Sequence, residues 1–449
     1  ARQTFKLREL FWDKMTEENL HRVRQIEDDC IFAVMEMERN GLFIDAPLLE
    51  KWCKESQQRY EVYLWRINKD TGVKFNPSSA ETWEALFNQQ GLEVPERTDD
   101  GRMVTQWVVL KRVQNQYVQM GLKAMKLGDL RSDYLEKYRQ SIGSDGILRF
   151  ALHQLRGDEG GTITGRFSSS AIKVGGEKIG ANIQQVADPN KQVEKGHDPE
   201  FIIRKLIIPR QGKAVSADAK QIEYRLFATY AQNQKVLEAY EKDPDLSFHR
   251  LIHSMILPFK PDLSYEHQKN INFMKIYAGG LTKLALMLDH ITPKQAEDLR
   301  KQFAPKSPPR DHPLLKLAAE IDDIYGRELP EVRDLTNAVS ERAKNRGYVL
   351  TLAGRRIRFT NRQRLHKALN GVIQGGAADI MKRKMVELHR ERKRIGYVPR
   401  VTNHDENFGD ALSEETPTLM KEILNVQSFP ELTVKILWDV KTGNSWAEA

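Results

Sequence analysis

The wide separation of its strand-like text limits this chain's fold more than any other feature. "KAVSA" (213–217) and "YVPRVTNHDENFGDAL" (397–412) read as strands, "GYVLTLAGRRIRF" (347–359) alternates like a hairpin, and helical text fills most of the interval. A sheet made of such pieces must be assembled across long helical insertions, which predicts an α+β fold. No internal repeat is visible. Upstream, Ile26, Cys30, Ala33, Val34 and Met37 follow helical spacing up to Asn40-Gly41, and "LFID" (42–45) reads as a short strand or turn. A second helix is expected from about Pro47. "NPSSAETWEALF" (76–87) opens a third, with Ser78 and Glu81 placed as a capping box. Helical text with scattered bases, among them Lys111, Arg112, Lys126 and Arg139, continues to about 140. Glycines and hydroxyls from 157 to 180 read as loop and turn, and "FAPKSPPRDHP" (303–313) as a surface loop.

With 449 residues there is room for two to four domains, and 40% hydrophobic with 29% charged content fits a globular protein. No run of about 18 apolar residues predicts a membrane span. The start lacks the plan of a signal peptide and an initiator Met, so the chain reads as processed or cut from something longer. Cys30 and Cys53 are the only cysteines, which argues against a disulfide framework or a cysteine zinc site and suits a reducing cytoplasm. Lys plus Arg outnumber Asp plus Glu by 70 to 62, a surplus of +8 that is compatible with a polyanionic partner without demonstrating one.

Two carboxylates hold the chemical interest. Asp218 stands where an apolar strand meets a helix, as an N-cap would. Asp405 sits in the polar tip of "VTNHDENF", as a turn residue would. If the two strands are neighbours, both carboxylates emerge at one sheet edge, a hard-oxygen site suited to Mg²⁺ and to two-metal phosphoryl chemistry. A second signal is "HQKNINFMKIYAGG" (267–280). Its Lys269, Phe273 and Tyr277 share one helix face, because a four-residue step drifts only about 40°. Taken alone, such a triplet is explained more readily by packing at a core edge, with the lysine snorkelling, than by a ligand.

"SADAKQIEYRLFA" (216–228), "KNINFMKIYAGG" (269–280) and "TNHDE" (402–406) resemble, in order, motifs A, B and C of family A DNA polymerases, the DNA polymerase I type. "TITGRFSSS" (162–170) with "ANIQQV" (181–186), "HKALNGVIQGGAADIMK" (366–382) and "MERNGLFID" (37–45) resemble further signatures of that family, the later segments most like phage versions. The resemblance implies a right-hand polymerase fold with an antiparallel-sheet palm. The thumb and N-terminal helical region would be 1–150, the palm 151–229 and 347–449, and the helical fingers 230–346. It implies two Mg²⁺ ions held by Asp218, Asp405 and the Ala219 carbonyl. Lys269 would hold the triphosphate and protonate pyrophosphate, with His249 nearby. Phe273 would line the sugar, Tyr277 would stack at the templating base, and Glu223 would exclude a ribose 2′-hydroxyl. Arg166, Asn182, Gln184, Asn370 and Gln374 would touch the duplex minor groove, His404 would lie near the primer terminus, and Glu406 would lie near DNA and metals. The glycines at 279–280 would allow a sharp helix exit, and Gly371, Gly375 and Gly376 a close backbone approach.

The sequence departs from the pattern at Tyr265, where the family has an arginine four residues before the motif-B lysine; His267 is a candidate replacement. Met274 stands for a glycine and His366 for an arginine. No 3′–5′ exonuclease domain fits ahead of the thumb in this chain, so proofreading is expected to be absent from it. The expected function is template-directed DNA synthesis on primer-template DNA from dNTPs, with no membrane partner. A single-subunit RNA polymerase and a DNA-binding scaffold with a degenerate site are the alternatives.

Overall fold

The computed structural model describes residues 2–155, 161–277, 279–359, 365 and 367–449. His366 and residues 157–160 of the glycine-rich stretch lie outside them.

The fold is α+β, and its centre is a four-stranded antiparallel sheet. Strands β1 (Lys213–Ala219), β2 (Tyr397–Asn403), β3 (Glu406–Ala411) and β4 (Trp438–Gly443) run in the order β2-β3-β1-β4. The central strand is short-chained, and Ala214, Val215, Ser216 and Ala217 are all buried, so both faces of the sheet are covered. Asp218 belongs to the strand itself rather than capping the next helix, which is entered through Gln221 at φ 49°.

Among the helices, α1 (His21–Asn40), α2 (Ala46–Thr71) and α3 (Gln116–Leu130) precede the sheet. Helices α4 (Ile222–Ala231), α5 (Phe248–Ile256) and α6 (Tyr265–Ile276) follow β1. Helix α7 (Ala368–Ile395) is buried along most of its length and packs on α1, α4 and β2. Glycines on α7 permit a further close contact, with a neighbouring hairpin. A Cβ at Gly375 would meet the Thr351 methyl at 2.6 Å, and one at Gly371 would meet Ile357 at 3.1 Å. The close approach at these glycines is therefore to the protein's own hairpin, formed by Tyr348–Leu350 and Arg356–Arg358.

A buried ion cluster locks α1 to α7. Lys382, fully buried, donates to both oxygens of Glu27 at 2.7 and 2.8 Å. Arg355 bridges Glu27 and Asp379, its Nε donating to Asp379 Oδ1 at 2.8 Å. Each buried charge has a partner, which a low-dielectric interior requires.

A second core of Ile67, Phe75, Trp83, Leu86, Phe87, Val118 and Leu122 lies at the far end of α2 and α3 and is separate from the main one. The helix over Ala80–Gln89 there is capped by Ser79, whose side chain accepts from Thr82 N, one residue later than the box at Ser78 and Glu81. The stretch read as loop through 180 holds three short strands, Ser168–Ser170 paired with Ala151–His153, and Ile172–Val174 paired with Glu177–Ile179. Cys30 and Cys53 are buried and unbridged. No helix among the described residues is long and apolar enough to cross a membrane.

Candidate active site

Asp218 and Asp405 meet at one edge of the sheet because β3 pairs directly with β1. Glu406 lies opposite Asp218 in register, and Ala219 N donates to the Asp405 carbonyl at 2.9 Å. The tip between β2 and β3 is held from outside by Gln184, whose Nε2 donates to Thr402 O at 2.7 Å and whose Oε1 accepts from His404 N at 3.3 Å. His404 takes a left-handed conformation, φ 56°, to make the turn.

The edge opens into a cleft of about 780 Å³ lined by Asp218, Asp405, Glu406, Gln184, Lys191 and Arg204. Asp218 itself is exposed to the cleft. Crowding by protein, then by the charges of Asp405 and Glu406, pushes its carboxyl up to about 8. Asp405 is also raised, chiefly by burial. Two carboxylates that resist ionising side by side constitute a place where a divalent cation would be welcome. Among the described residues no three His, Cys, Asp or Glu side chains converge to hold a metal unaided. Two carboxylates with room for water and phosphate oxygens fit Mg²⁺, which retains such ligands.

Glu406 differs from its expected place among the DNA contacts. It is 6% exposed, and its carboxylate accepts from Arg204 at 2.9 Å, from Trp446 Nε1 at 2.6 Å and from the Ser216 hydroxyl. With both oxygens engaged, it braces the sheet edge. Arg204, which the sequence reading missed, stacks on Trp446 with 4.2 Å to the ring centroid. The lone arginine in the apolar run "FIIRKLII" was the available signal, because such a charge needs a buried partner.

A second constellation joins residues from four distant segments. Glu223 accepts from Arg166 on one oxygen and from the Tyr277 hydroxyl on the other. Gln374 Nε2 donates to Tyr277 Oη at 3.4 Å. Burial and the neighbouring Glu223 raise the Tyr277 hydroxyl's pKa. Asn182 stands nearer the first group, accepting from Ser169 Oγ at 2.6 Å.

The helix of the 267–280 segment is α6, which starts at Ser264, whose hydroxyl accepts from His267 N at 3.1 Å, and ends at Ile276 with Tyr277 as its cap. Ile271 and Met274 point into the core, at 0% and 1% exposure, while Phe273 on the opposite face is 44% exposed. That difference decides against a core role for the Lys269–Phe273–Tyr277 face. The Phe273 and Tyr277 rings lie 4.4 Å apart. Lys269 reaches Glu266 at 2.9 Å, an exposed local pair. His249 accepts from Asn272 at 3.1 Å, and burial, then Lys269, pushes its imidazole down to about 4.

Tyr265 contacts Ser247 Oγ at 3.5 Å, and His267 stands 3.7 Å from Asp289. The glycine pair also finds a specific reason. Gly280 has an ordinary φ of −81°, whereas a Cβ on Gly279 would strike Met274 Cγ at 2.6 Å. Gly279 thus accommodates Met274. The exit face opens on a second cleft, of about 650 Å³, lined by Phe273, Tyr277, Lys283, Arg300, Asn370 and Gln374. Asn370 Oδ1 is buried there without a hydrogen-bond partner among the described residues.

The family model described as "DNA polymerase family A" matches residues 46–309 and 314–448. The chain is similar to DNA polymerase DpoZ of Acinetobacter phage SH-Ab 15497, at 25% identity over 97% of this chain and 70% of that protein. It is similar to DNA polymerase I of Borreliella burgdorferi, at 26% identity over 99% of this chain and 46% of that protein, so it spans about half of that bacterial relative. Its fold matches the POL domain of Pol1 from M. smegmatis, in complex with DNA primer-template and dNTP, with a TM-score of 0.74 and 21% identity over 97% of this chain and 73% of that one.

Proposed function

The chain belongs to DNA polymerase family A, and from that premise we propose that it is a template-directed DNA polymerase adding deoxyribonucleotides to a primer 3′ end. The observation that carries the reading is the pair Asp218 and Asp405 at one sheet edge, fixed by the Ala219 to Asp405 backbone bond. In this reading the sheet with 151–229 and 347–449 is the palm, 230–346 the fingers and 1–150 the thumb.

Asp218 and Asp405, with the Ala219 carbonyl, would hold two Mg²⁺ ions, which when bound supply the positive charge that eases attack by the primer hydroxyl and departure of pyrophosphate. Glu406 keeps that edge in place through Arg204, Ser216 and Trp446. Lys269 leaves its weak exposed pair with Glu266 to meet the triphosphate, and its ammonium can donate a proton to the leaving group. His249, neutral at ordinary pH, adds a hydrogen bond rather than a charge. Phe273 offers a ring to the sugar.

Glu223, tied to Arg166 and Tyr277, stands as a wall where a 2′-hydroxyl would need space, and this favours deoxyribonucleotides over the substrates of an RNA polymerase. Asn182, Gln184, Asn370, Gln374 and His404 supply neutral donors and acceptors suited to minor-groove edges, which vary little among base pairs and so report pair geometry rather than sequence.

The test is extension of a primed template with dNTPs and Mg²⁺. Growth of the primer in template order supports the reading. Tight binding without extension would favour the DNA-binding scaffold, and efficient use of ribonucleotides would favour an RNA polymerase.

A further inference from the structure

Helix α6 buries two amide side chains on the face that packs into the core. Gln268 and Asn272, one turn apart, are both 0% exposed and share that face with Ile271. Burying an amide costs free energy unless its polar atoms find partners. Gln268 Nε2 donates to Asn272 Oδ1 at 2.8 Å, and Asn272 Nδ2 lies 3.1 Å from Nδ1 of His249 on α5. The two amides therefore form a short chain that ends on the imidazole.

The direction of that chain fixes the ring. With Asn272 Oδ1 taken by Gln268, only its amide nitrogen is left for His249, and an amide nitrogen can only donate. Nδ1 is then the acceptor, and the proton of the neutral ring sits on Nε2. Turning both amides over would give the other tautomer, but it would strand the Gln268 nitrogen in the interior. As the chain stands, the atom without a partner among the described residues is Gln268 Oε1. Orphaned buried N–H groups are rarer than orphaned oxygens, which favours this direction.

Burial, then Lys269, pushes the imidazole down to about 4, so at neutral pH the tautomer and not the charge decides what the ring presents. Glu266 is the other charged group acting on it, and the Tyr224 ring of α4 lies edge-on at 4.4 Å. Asn272 is the one hydrogen-bond partner of the ring among the described residues.

We propose that Asn272, steadied by Gln268, is a positioning residue that holds His249 as the Nε2–H tautomer, so that the ring offers an incoming triphosphate a donor instead of a lone pair. The proposal rests on the polymerase reading, in which His249 adjoins the triphosphate beside Lys269. The other tautomer would turn electron density toward phosphate oxygens and replace an attraction by a repulsion.

The experiment has two arms. In wild type, ¹⁵N–¹H NMR of histidine-labelled protein, with the His249 signals identified by their loss in His249→Gln, should show Nε2 protonated and Nδ1 bare at about pH 7. This arm decides the tautomer without any other variant. The second arm is Asn272→Asp, which keeps the shape and the bond from Gln268 but can only accept. Nδ1 must then hold the proton, the titration of the ring moves up from about 4, and the neutral ring presents a bare Nε2. In primer extension, the ratio of variant to wild-type KM for the dNTP should rise about tenfold or more between about pH 6 and about pH 8, the worth of one hydrogen bond to a charged group, with kcat changing less. A wild-type ring protonated on Nδ1, or a KM ratio that is constant across pH, overturns the assignment while leaving the polymerase reading intact. Nε2–H in a wild type that extends no primer overturns the polymerase reading and leaves only the tautomer standing.

Discussion

Replacing Arg204 by Met tests whether the active edge is held up by a buried charge pair. Arg204 and Glu406 are each 8% exposed in their side chains and meet at 2.9 Å, so removing the guanidinium strands a carboxylate in the interior. Breaking a buried pair by removing one partner costs about 3–5 kcal/mol. Glu406 keeps its bonds from Ser216 and Trp446, which places the expected loss near the lower end, about 3 kcal/mol. For a chain of this length, unfolding entropy converts each kcal/mol into roughly 1 °C, so the melting midpoint should fall by about 3 °C. Arg204 also restrains the Asp218 carboxyl, and its loss should drive that group further up and move the acid limb of the activity profile to higher pH. The assays are thermal or urea melting, followed by primer extension against pH. The double variant Arg204→Met/Glu406→Gln removes the stranded charge while retaining an acceptor for Trp446, and most of the lost stability should return. A single-variant loss under about 1 kcal/mol, in the range of a surface pair, would refute the reasoning. So would a double variant no more stable than the single.

Four further outcomes are expected. Asp218→Ala or Asp405→Ala should reduce extension to background while duplex affinity persists; substantial extension by either removes the two-metal assignment. Glu223→Ala should raise ribonucleotide use tenfold or more, about 1.4 kcal/mol of discrimination, in single-turnover competition. His249 has a folded pKa near 4, below the unfolded value of about 6.5, so the unfolded state takes up its proton first and stability is lost as pH falls through that window. In His249→Gln, the stability curve should be flatter there, and an identical curve counts against a buried neutral imidazole. Phe273→Tyr should place a hydroxyl beside the sugar and improve dideoxynucleotide use by up to about a hundredfold, the worth of one charge-assisted hydrogen bond; unchanged competition means that this helix face does not meet the sugar.

The sheet and its two aspartates were legible because each sits in a polar break at the end of apolar strand text; either alone reads as a helix cap or a turn residue, and only the pairing of the two strands brings them together. The α6 face was legible by its spacing, but its exposure was not. Only the burial of Ile271 and Met274 against the exposure of Phe273 distinguishes an outward face from a core face. Gly279 illustrates the limit of local reasoning. Its need for a missing Cβ comes from Met274, five residues away, and not from a special φ. Glu406 and Arg204 lie about two hundred residues apart, and nothing local to either names the other. The 172–179 hairpin was hidden by its glycines, which read equally as loop. The helix cap slipped by one position because "PSSAE" offers two adjacent serines and only backbone geometry chooses between them.

The order of strands in the sheet also has a consequence for how the protein is made. Strand β1 is finished at residue 219, yet both of its neighbours come from residues after 400. At about 5–20 residues per second, the ribosome takes roughly 10–40 s to deliver the first partner. During that time a strand buried at Ala214, Val215, Ser216 and Ala217 in the finished fold exists with two bare edges, the condition under which chains pair with one another. "KAVSADA" is small-chained and ends in charge on both sides, Lys213 at one end and Asp218 near the other. Charges beside an apolar strand are what discourages such pairing. Asp218 therefore guards the nascent chain before it has a site to serve, and its replacement by an apolar residue should lower soluble yield during synthesis even where the finished fold tolerates it.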